Sequence, residues 1–99
     1  MTALALRSIG SNDYAIIEDG YPVGRIRLAA ERGGQTWMWN CTIPVPGGPS
    51  GTAGNLDAAK AAFRESWARF KATIGPERLA NALEIAEAAR NRLSATAKR

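Results

Sequence analysis

The sequence predicts an α+β fold, with an antiparallel meander of three or four strands, one amphipathic helix packed on one face, and an additional C-terminal helix. Two tryptophans alternate in the strand-like segment Trp37-Met38-Trp39, and a Gly/Pro-rich stretch follows it. After that stretch, aromatic residues recur at helical spacing as Phe63, Trp67 and Phe70. All three tryptophans and both phenylalanines therefore lie in one strand–loop–helix unit, which predicts the position of the core.

The first half of the chain supplies the strands of the predicted meander. Leu4 and Leu6 alternate with smaller or polar neighbours, which is a weak strand signal. Asp19-Gly20 is a strong two-residue hairpin signal between two segments rich in β-forming residues. The predicted strands are residues 4–6, 14–18, 23–28 and 36–43.

Alternation along these strands assigns their side chains to two faces of the sheet. Trp37, Trp39, Cys41 and Ile43 share one face, which we predict to pack against the first helix. The opposite face is predicted to carry Arg25 and Arg27, near Met38 and Tyr14.

A loop and two helices are predicted for the second half. Residues 44–54 contain three prolines and four glycines, which predicts a flexible loop. Asn55 is a good N-cap for a helix over 55–74, and Gly75-Pro76 ends that helix. Its apolar stripe is Leu56, Ala59, Phe63, Trp67, Phe70 and Ile74. A second helix over 77–93 has a thin stripe rich in alanine. We divide the chain into a sheet-plus-helix domain, 1–75, and an appended C-terminal helix with a basic tail, 76–99, which either belongs to the same single domain or acts as an interaction element.

Composition argues against an enzyme. The chain has no histidine and a single cysteine, Cys41, so it cannot form a Ser-His or Cys-His nucleophile or a thiolate zinc site. No paired acidic motif stands out either, and we expect no catalytic residue, cofactor or metal. No apolar run approaches the length needed to span a bilayer, and the N-terminus does not resemble a signal peptide. We therefore expect a cytoplasmic protein that does not bind membranes.

The net charge of +4 is concentrated in the second half of the chain. Residues 1–54 hold four basic and four acidic groups, whereas residues 55–99 hold nine basic and five acidic groups. A basic surface is compatible with nucleic-acid binding. Cations near a helix C-terminus also suit the helix dipole, so part of the excess has a local explanation.

From Asp13 to Trp67 the chain resembles a family of small uncharacterised proteins common in rhizobial alphaproteobacteria. The resemblance rests on Asp13-Tyr14, Asp19-Gly20, Val23-Gly24-Arg25-Ile26, Trp37-Met38-Trp39, Gly51, and the helix from Ala58 through Phe63 to Ser66-Trp67. Such proteins usually end soon after the Ser-Trp segment, whereas this chain continues for some thirty residues. The resemblance implies the sheet-plus-helix fold and no particular activity.

These observations predict a small non-catalytic interaction module that binds a protein partner or associates with itself. The thin stripe of the second helix motivates this prediction, because an exposed apolar stripe tends to find another surface, in a homodimer or on a protein partner. The alternative is a small nucleic-acid-binding protein that uses Arg25, Arg27 and the basic helical half. The candidate partner-binding residues are Arg25, Arg27, Met38, Leu79, Leu83 and Leu93.

Overall fold

The computed structural model describes residues 4–31 and 34–97, with side chains described for all of these except 30, 31 and 93–97. It contains a five-stranded antiparallel sheet in the order β1-β2-β3-β4-β5 and one long helix, α1. The elements are β1 (Leu4–Gly10), β2 (Asp13–Glu18), β3 (Tyr21–Glu31), β4 (Gly34–Cys41), β5 (Ser50–Ala53) and α1 (Leu56–Ala97). The α+β prediction is confirmed, although the sheet has five strands and not three or four, and the predicted additional C-terminal helix is the kinked continuation of α1.

The predicted hairpin turn joins β2 to β3. Asp19 and Gly20 both adopt positive φ angles, 53° and 82°, between the paired residues Glu18 and Tyr21. Two consecutive positive φ angles define the type I′ turn, whose twist matches that of the flanking strands.

Strand β5 was not predicted, because it lies inside the segment 44–54 that its prolines and glycines marked as a loop. Trp39 of β4 lies opposite Gly51 of β5. A Cβ atom on Gly51 would lie 2.5 Å from Cζ2 of Trp39, so the indole occupies the space that a side chain would need. The glycine that suggests a loop is therefore the residue that lets a fifth strand pack beside the tryptophan.

The first part of α1, residues 56–74, forms as predicted. Asn55 caps it, because its Oδ1 accepts a hydrogen bond of 2.8 Å from the backbone N–H of Ala58. The predicted apolar stripe faces the sheet, with Ala59, Phe63 and Trp67 almost completely buried. Gly75 interrupts the helix with φ 81° and ψ 163°, a backbone region open essentially to glycine alone. Helical structure resumes at Pro76, so the second helical segment follows without an intervening loop.

An aromatic cluster forms the centre of the core, between the sheet and residues 56–74 of α1. Trp39 meets Phe63 edge-on at 6.2 Å between ring centroids, and Phe63 stacks on Trp67 at 6.1 Å. Edge-on and stacked contacts of this kind stabilise a core beyond the area that they bury. The predicted core role of Trp39 is confirmed, since it is 7% exposed.

A buried polar contact fixes α1 to the end of β2. Glu18 is 9% exposed, and its Oε2 accepts hydrogen bonds from Nε1 of Trp67 at 3.0 Å and from Nζ of Lys71 at 2.9 Å. The Lys71 ammonium also lies 5.6 Å from the centroid of the Trp67 ring. Because a buried carboxylate without partners is costly, this contact favours one docking position of the helix on the sheet.

The second helical segment, residues 76–97, packs against the same core. Ala82 is 3% exposed and belongs to the core cluster, and Leu79 and Leu83 pack against that cluster as half-buried side chains. The thin stripe is thus at least partly covered by the chain itself.

Candidate functional site

One face of the sheet is left uncovered by α1, and we call it the open face. Strand register places its residues, because directly opposed partners in an antiparallel pair lie on the same face. Arg25 lies opposite Ala15 and Asn40, and Arg27 lies opposite Asp13 and Met38. The open face includes Arg7, Asp13, Ala15, Arg25, Arg27, Met38, Asn40, Ser50 and Thr52.

Three of the six predicted partner-binding residues therefore share the open face. Arg25 and Arg27 are exposed and Met38 is half-buried, as the alternation of the strands predicts. Tyr14 does not join them, because it lies opposite Ile26 and contacts the Trp37 ring at 6.4 Å on the helix-covered face. The aromatic rings of this sheet therefore lie away from the open face.

Arg25 is held in place by Asp13 of the neighbouring strand. Nε of Arg25 donates to Oδ1 of Asp13 at 2.9 Å, and Nη2 donates to Oδ2 at 2.5 Å. This two-point contact matches the planar guanidinium to the carboxylate and fixes its orientation. Arg27 forms no ion pair with any described residue, so its guanidinium is available to a partner.

The pair changes the acidity of Asp13. The hydrogen bond from Arg25 holds the pKa of the Asp13 carboxyl below its ordinary value, and the charges of Arg25 and Arg27 act in the same direction. The same contact raises the pKa of Arg25, which stays charged. Because the pKa of Asp13 is lower in the folded chain, the pair stabilises the fold above pH ~3.9 and loses this effect as pH falls through the folded value.

We expect Arg25→Met to raise the pKa of Asp13 toward its ordinary value. A carbon-detected NMR titration of the carboxyl groups measures this directly. Arg78→Met is the matched control, since Arg78 is an exposed arginine on the second helical segment. An Asp13 pKa that is the same in the Arg25→Met variant and the native chain would contradict the contact.

A shallow depression of about 500 Å³ lies across the open face. Its walls combine two guanidinium groups, a thioether, an amide and two hydroxyls, contributed by Arg25, Arg27, Met38, Asn40, Ser50 and Thr52, and Trp39 and Gly51 complete the lining. These groups offer hydrogen bonds and positive charge around one apolar centre, and they suit binding.

The other three predicted residues lie on the second helical segment. Leu79 and Leu83 pack against the core cluster, and the side chain of Leu93 is outside the described side chains. Leu83 and Ala86 also border a small cleft beside Tyr21 and Pro22. The large apolar side chain that this segment does expose is Ile85, at 49%, which no pattern in the sequence singled out.

The described residues contain no group of three or more Cys, Asp or Glu side chains arranged to hold a metal ion. Burial raises the pKa of the half-buried Cys41 thiol, which disfavours the reactive thiolate. Over the same part of the chain, no helix is both long and apolar enough to cross a membrane.

The open face and the covered core together define a two-layer α+β protein with one free sheet surface. Comparison of the chain with protein-family models, with curated proteins and with solved structures finds no match.

Proposed function

We propose that this chain is a small, non-catalytic interaction module that binds a protein partner through its open face. The observation that carries the proposal is the asymmetry of the sheet. α1 lies against β3, β4 and β5 on one side, while the other side presents Met38 directly opposite Arg27 and diagonal to Arg25. The resemblance to small alphaproteobacterial proteins agrees with this proposal but adds no activity to it, and we place the protein in the cytoplasm.

The chemistry of the open face resembles that of protein interfaces. Methionine and arginine are enriched at such interfaces, where a half-buried apolar centre is surrounded by polar groups. Asp13 already orients Arg25, so a partner would have less side-chain freedom to immobilise there. The described side chains of this face include three arginines and one aspartate, which favours an acidic partner over a second copy of the same face.

Parallel baits would test the proposal. We would immobilise three forms of the chain, which are the native form, Met38→Glu and Arg27→Glu. Each is incubated with a lysate of cells that express the chain, and the proteins that the three forms retain are compared. A binding protein is then purified and its affinity measured by calorimetry. We expect each substitution to weaken that affinity by about tenfold or more, because both residues lie at the centre of the surface.

Arg78→Glu provides the control, because it makes the same charge change on the exposed side of the second helical segment. Circular dichroism establishes that each variant is folded. The proposal fails if the purified partner binds all three variants and the native chain equally.

Nucleic-acid binding is a second candidate. The free guanidinium of Arg27 and the positive excess in residues 55–99 favour it. The position of the aromatic rings disfavours it, since single-stranded nucleic acids are usually bound by stacking on exposed rings. The test is retention of the chain on mixed-sequence DNA and RNA. A retention that falls steeply between low and moderate salt would support this alternative over the first, provided that Arg27→Glu also reduces it.

Self-association through the second helix is less well supported than a separate partner. Leu79 and Leu83 contact the core of their own chain, which gives these two leucines a structural role. Ile85 remains as an exposed apolar side chain for such a contact. Sedimentation velocity at micromolar concentration should show a monomer, and a dimer dissociated by Ile85→Glu would favour self-association.

A further inference from the structure

The two edges of the sheet differ in how well they are protected. β5 has four residues and directly follows Pro49. β1 has seven residues, no proline and one charged side chain, Arg7, and the irregularity in its pairing lies between Ser8 and Gly10, so that Leu4–Arg7 form a regular edge. Short strands, prolines and charges are the usual means of blocking an edge. The outward backbone N–H and C=O groups of β1 are therefore available for pairing with another strand.

A cleft lies beside this edge, between β1 and α1. Because α1 lies against β3, β4 and β5, it leaves Leu4 and Leu6 of β1 only partly covered. Together with Ile16 and Phe63, these leucines form the apolar floor of the cleft. Side chains of an added strand that point to this side would continue the covered face of the sheet.

The groups that overlook the cleft are cationic. Lys60 and Arg64 of α1 line it, and none of its lining residues is acidic. Lys60 lies 3.7 Å from the fully exposed Asp57, a weak contact, and Arg64 forms no ion pair with any described residue. Arg7 adds a third positive charge on the other face of the same strand.

This charge distribution selects the occupant. Antiparallel pairing of β1 with β1 of a second copy would bring Arg7 close to its counterpart, and like charges across strands are destabilising. An acidic strand meets the same groups with favourable charge. We propose that the β1 edge binds an extended, acidic segment of a partner protein as a sixth strand, with apolar side chains over Leu4 and Leu6 and carboxylates at Lys60 and Arg64.

The test uses a labelled seven-residue peptide, Val-Thr-Val-Thr-Glu-Thr-Glu, which as a strand presents two valines and two glutamates on the same face, toward the cleft. Fluorescence anisotropy gives its affinity, and NMR of the nitrogen-15-labelled protein locates it. We expect the largest shift changes in residues 4–10 and 60–64, and slower amide exchange in β1. A peptide with lysine in place of glutamate should bind at least about tenfold more weakly, because its charge is reversed. The acidic peptide methylated at every backbone nitrogen should bind more weakly by a similar factor, because it lacks the N–H donors of a paired strand.

Matched protein variants separate charge from general effects. Lys60→Glu and Arg64→Glu should each weaken binding of the acidic peptide about three- to fivefold, as expected for exposed charges. Arg78→Glu, an identical charge change away from the cleft, should leave the affinity unchanged.

Several results would overturn the proposal. The first two are equal binding of the acidic and basic peptides, and binding of the methylated peptide as strong as that of the unmethylated one. The third is a set of NMR shift changes centred on Met38. The fourth is a dimer in sedimentation whose slowed amide exchange lies in β1. Shift changes centred on Met38 would mean that the peptide binds the open face. The dimer would mean that a second copy of the chain occupies the β1 edge.

Discussion

Trp67→Ala is expected to lower the free energy of unfolding by about 3–5 kcal/mol, because it removes the largest fully buried side chain among the described residues. Trp67 is 1% exposed and packs between Phe63 and Phe70, so truncation leaves a cavity in the aromatic cluster. The change also removes one of the two hydrogen-bond donors to the buried Glu18 carboxylate. Because a domain of this size has a total stability of roughly 5–15 kcal/mol, this loss is a large fraction of the total, and the variant should unfold at a clearly lower urea concentration than the native chain.

Urea unfolding followed by circular dichroism measures this loss. Trp67→Phe gives an intermediate case, because it keeps one aromatic ring in the cluster but removes the N–H donor and the rest of the indole, and it should cost about 1–3 kcal/mol. Ile85→Ala is the control on the same helix, since Ile85 is 49% exposed, and it should cost about 0.5 kcal/mol. A Trp67→Ala variant as stable as the control would mean that the helix does not dock on the sheet as described.

Gly24→Ala is expected to destabilise the protein by about 1–3 kcal/mol, although it adds a single methyl group. A Cβ atom at this position would lie 2.5 Å from Cζ of Phe63 and 3.0 Å from the carbonyl oxygen of Asn40. The ring cannot move freely, because Trp39 and Trp67 pack on it. Thermal unfolding measures the loss, at roughly 4 °C or more in Tm per kcal/mol for a domain of this size.

Gly34→Ala is the matched control, because Gly34 also lies in a strand but a Cβ there would meet no atom within 4 Å. That substitution should be neutral or stabilise slightly, since alanine restricts the unfolded chain. Combining Gly24→Ala with Phe63→Leu should cost less than the sum of the two single changes, because the smaller side chain relieves the clash. Strict additivity would show that Gly24 and Phe63 are not in contact.

Local patterns predicted those parts of the fold that depend on neighbouring residues. Asp19-Gly20 formed the expected turn, Asn55 capped the helix, and Gly75 broke it, because each depends on the conformation of one or two residues. The stripe of residues 56–74 predicted its buried face correctly, since helical spacing alone decides which side chains share a face.

Features that depend on contacts distant in sequence were not predictable. β5 forms because Gly51 accommodates the indole of Trp39, and the composition of its own segment indicates a loop. Alternation placed Arg25 on the open face, but the ion pair with Asp13 requires the register of β2 against β3, which no local pattern gives. The same lack of long-range information placed Tyr14 on the wrong face.

The surface available for binding was predicted only in part. Arg25, Arg27 and Met38 followed from strand alternation, whereas the contact of Leu79 and Leu83 with the core depends on the direction in which the chain leaves Gly75. The cleft at the β1 edge depends on where α1 crosses the sheet, which is a property of the packed structure.

The three tryptophans occupy three different environments, and together they give the chain built-in spectroscopic reporters. The indole N–H of Trp67 donates to a carboxylate, that of Trp39 is buried without a partner among the described residues, and Trp37 is half-buried beside Tyr14. Their indole proton resonances should therefore be well separated. One spectrum could then follow the helix–sheet contact, the centre of the core and the outer end of the sheet at the same time, without any added label.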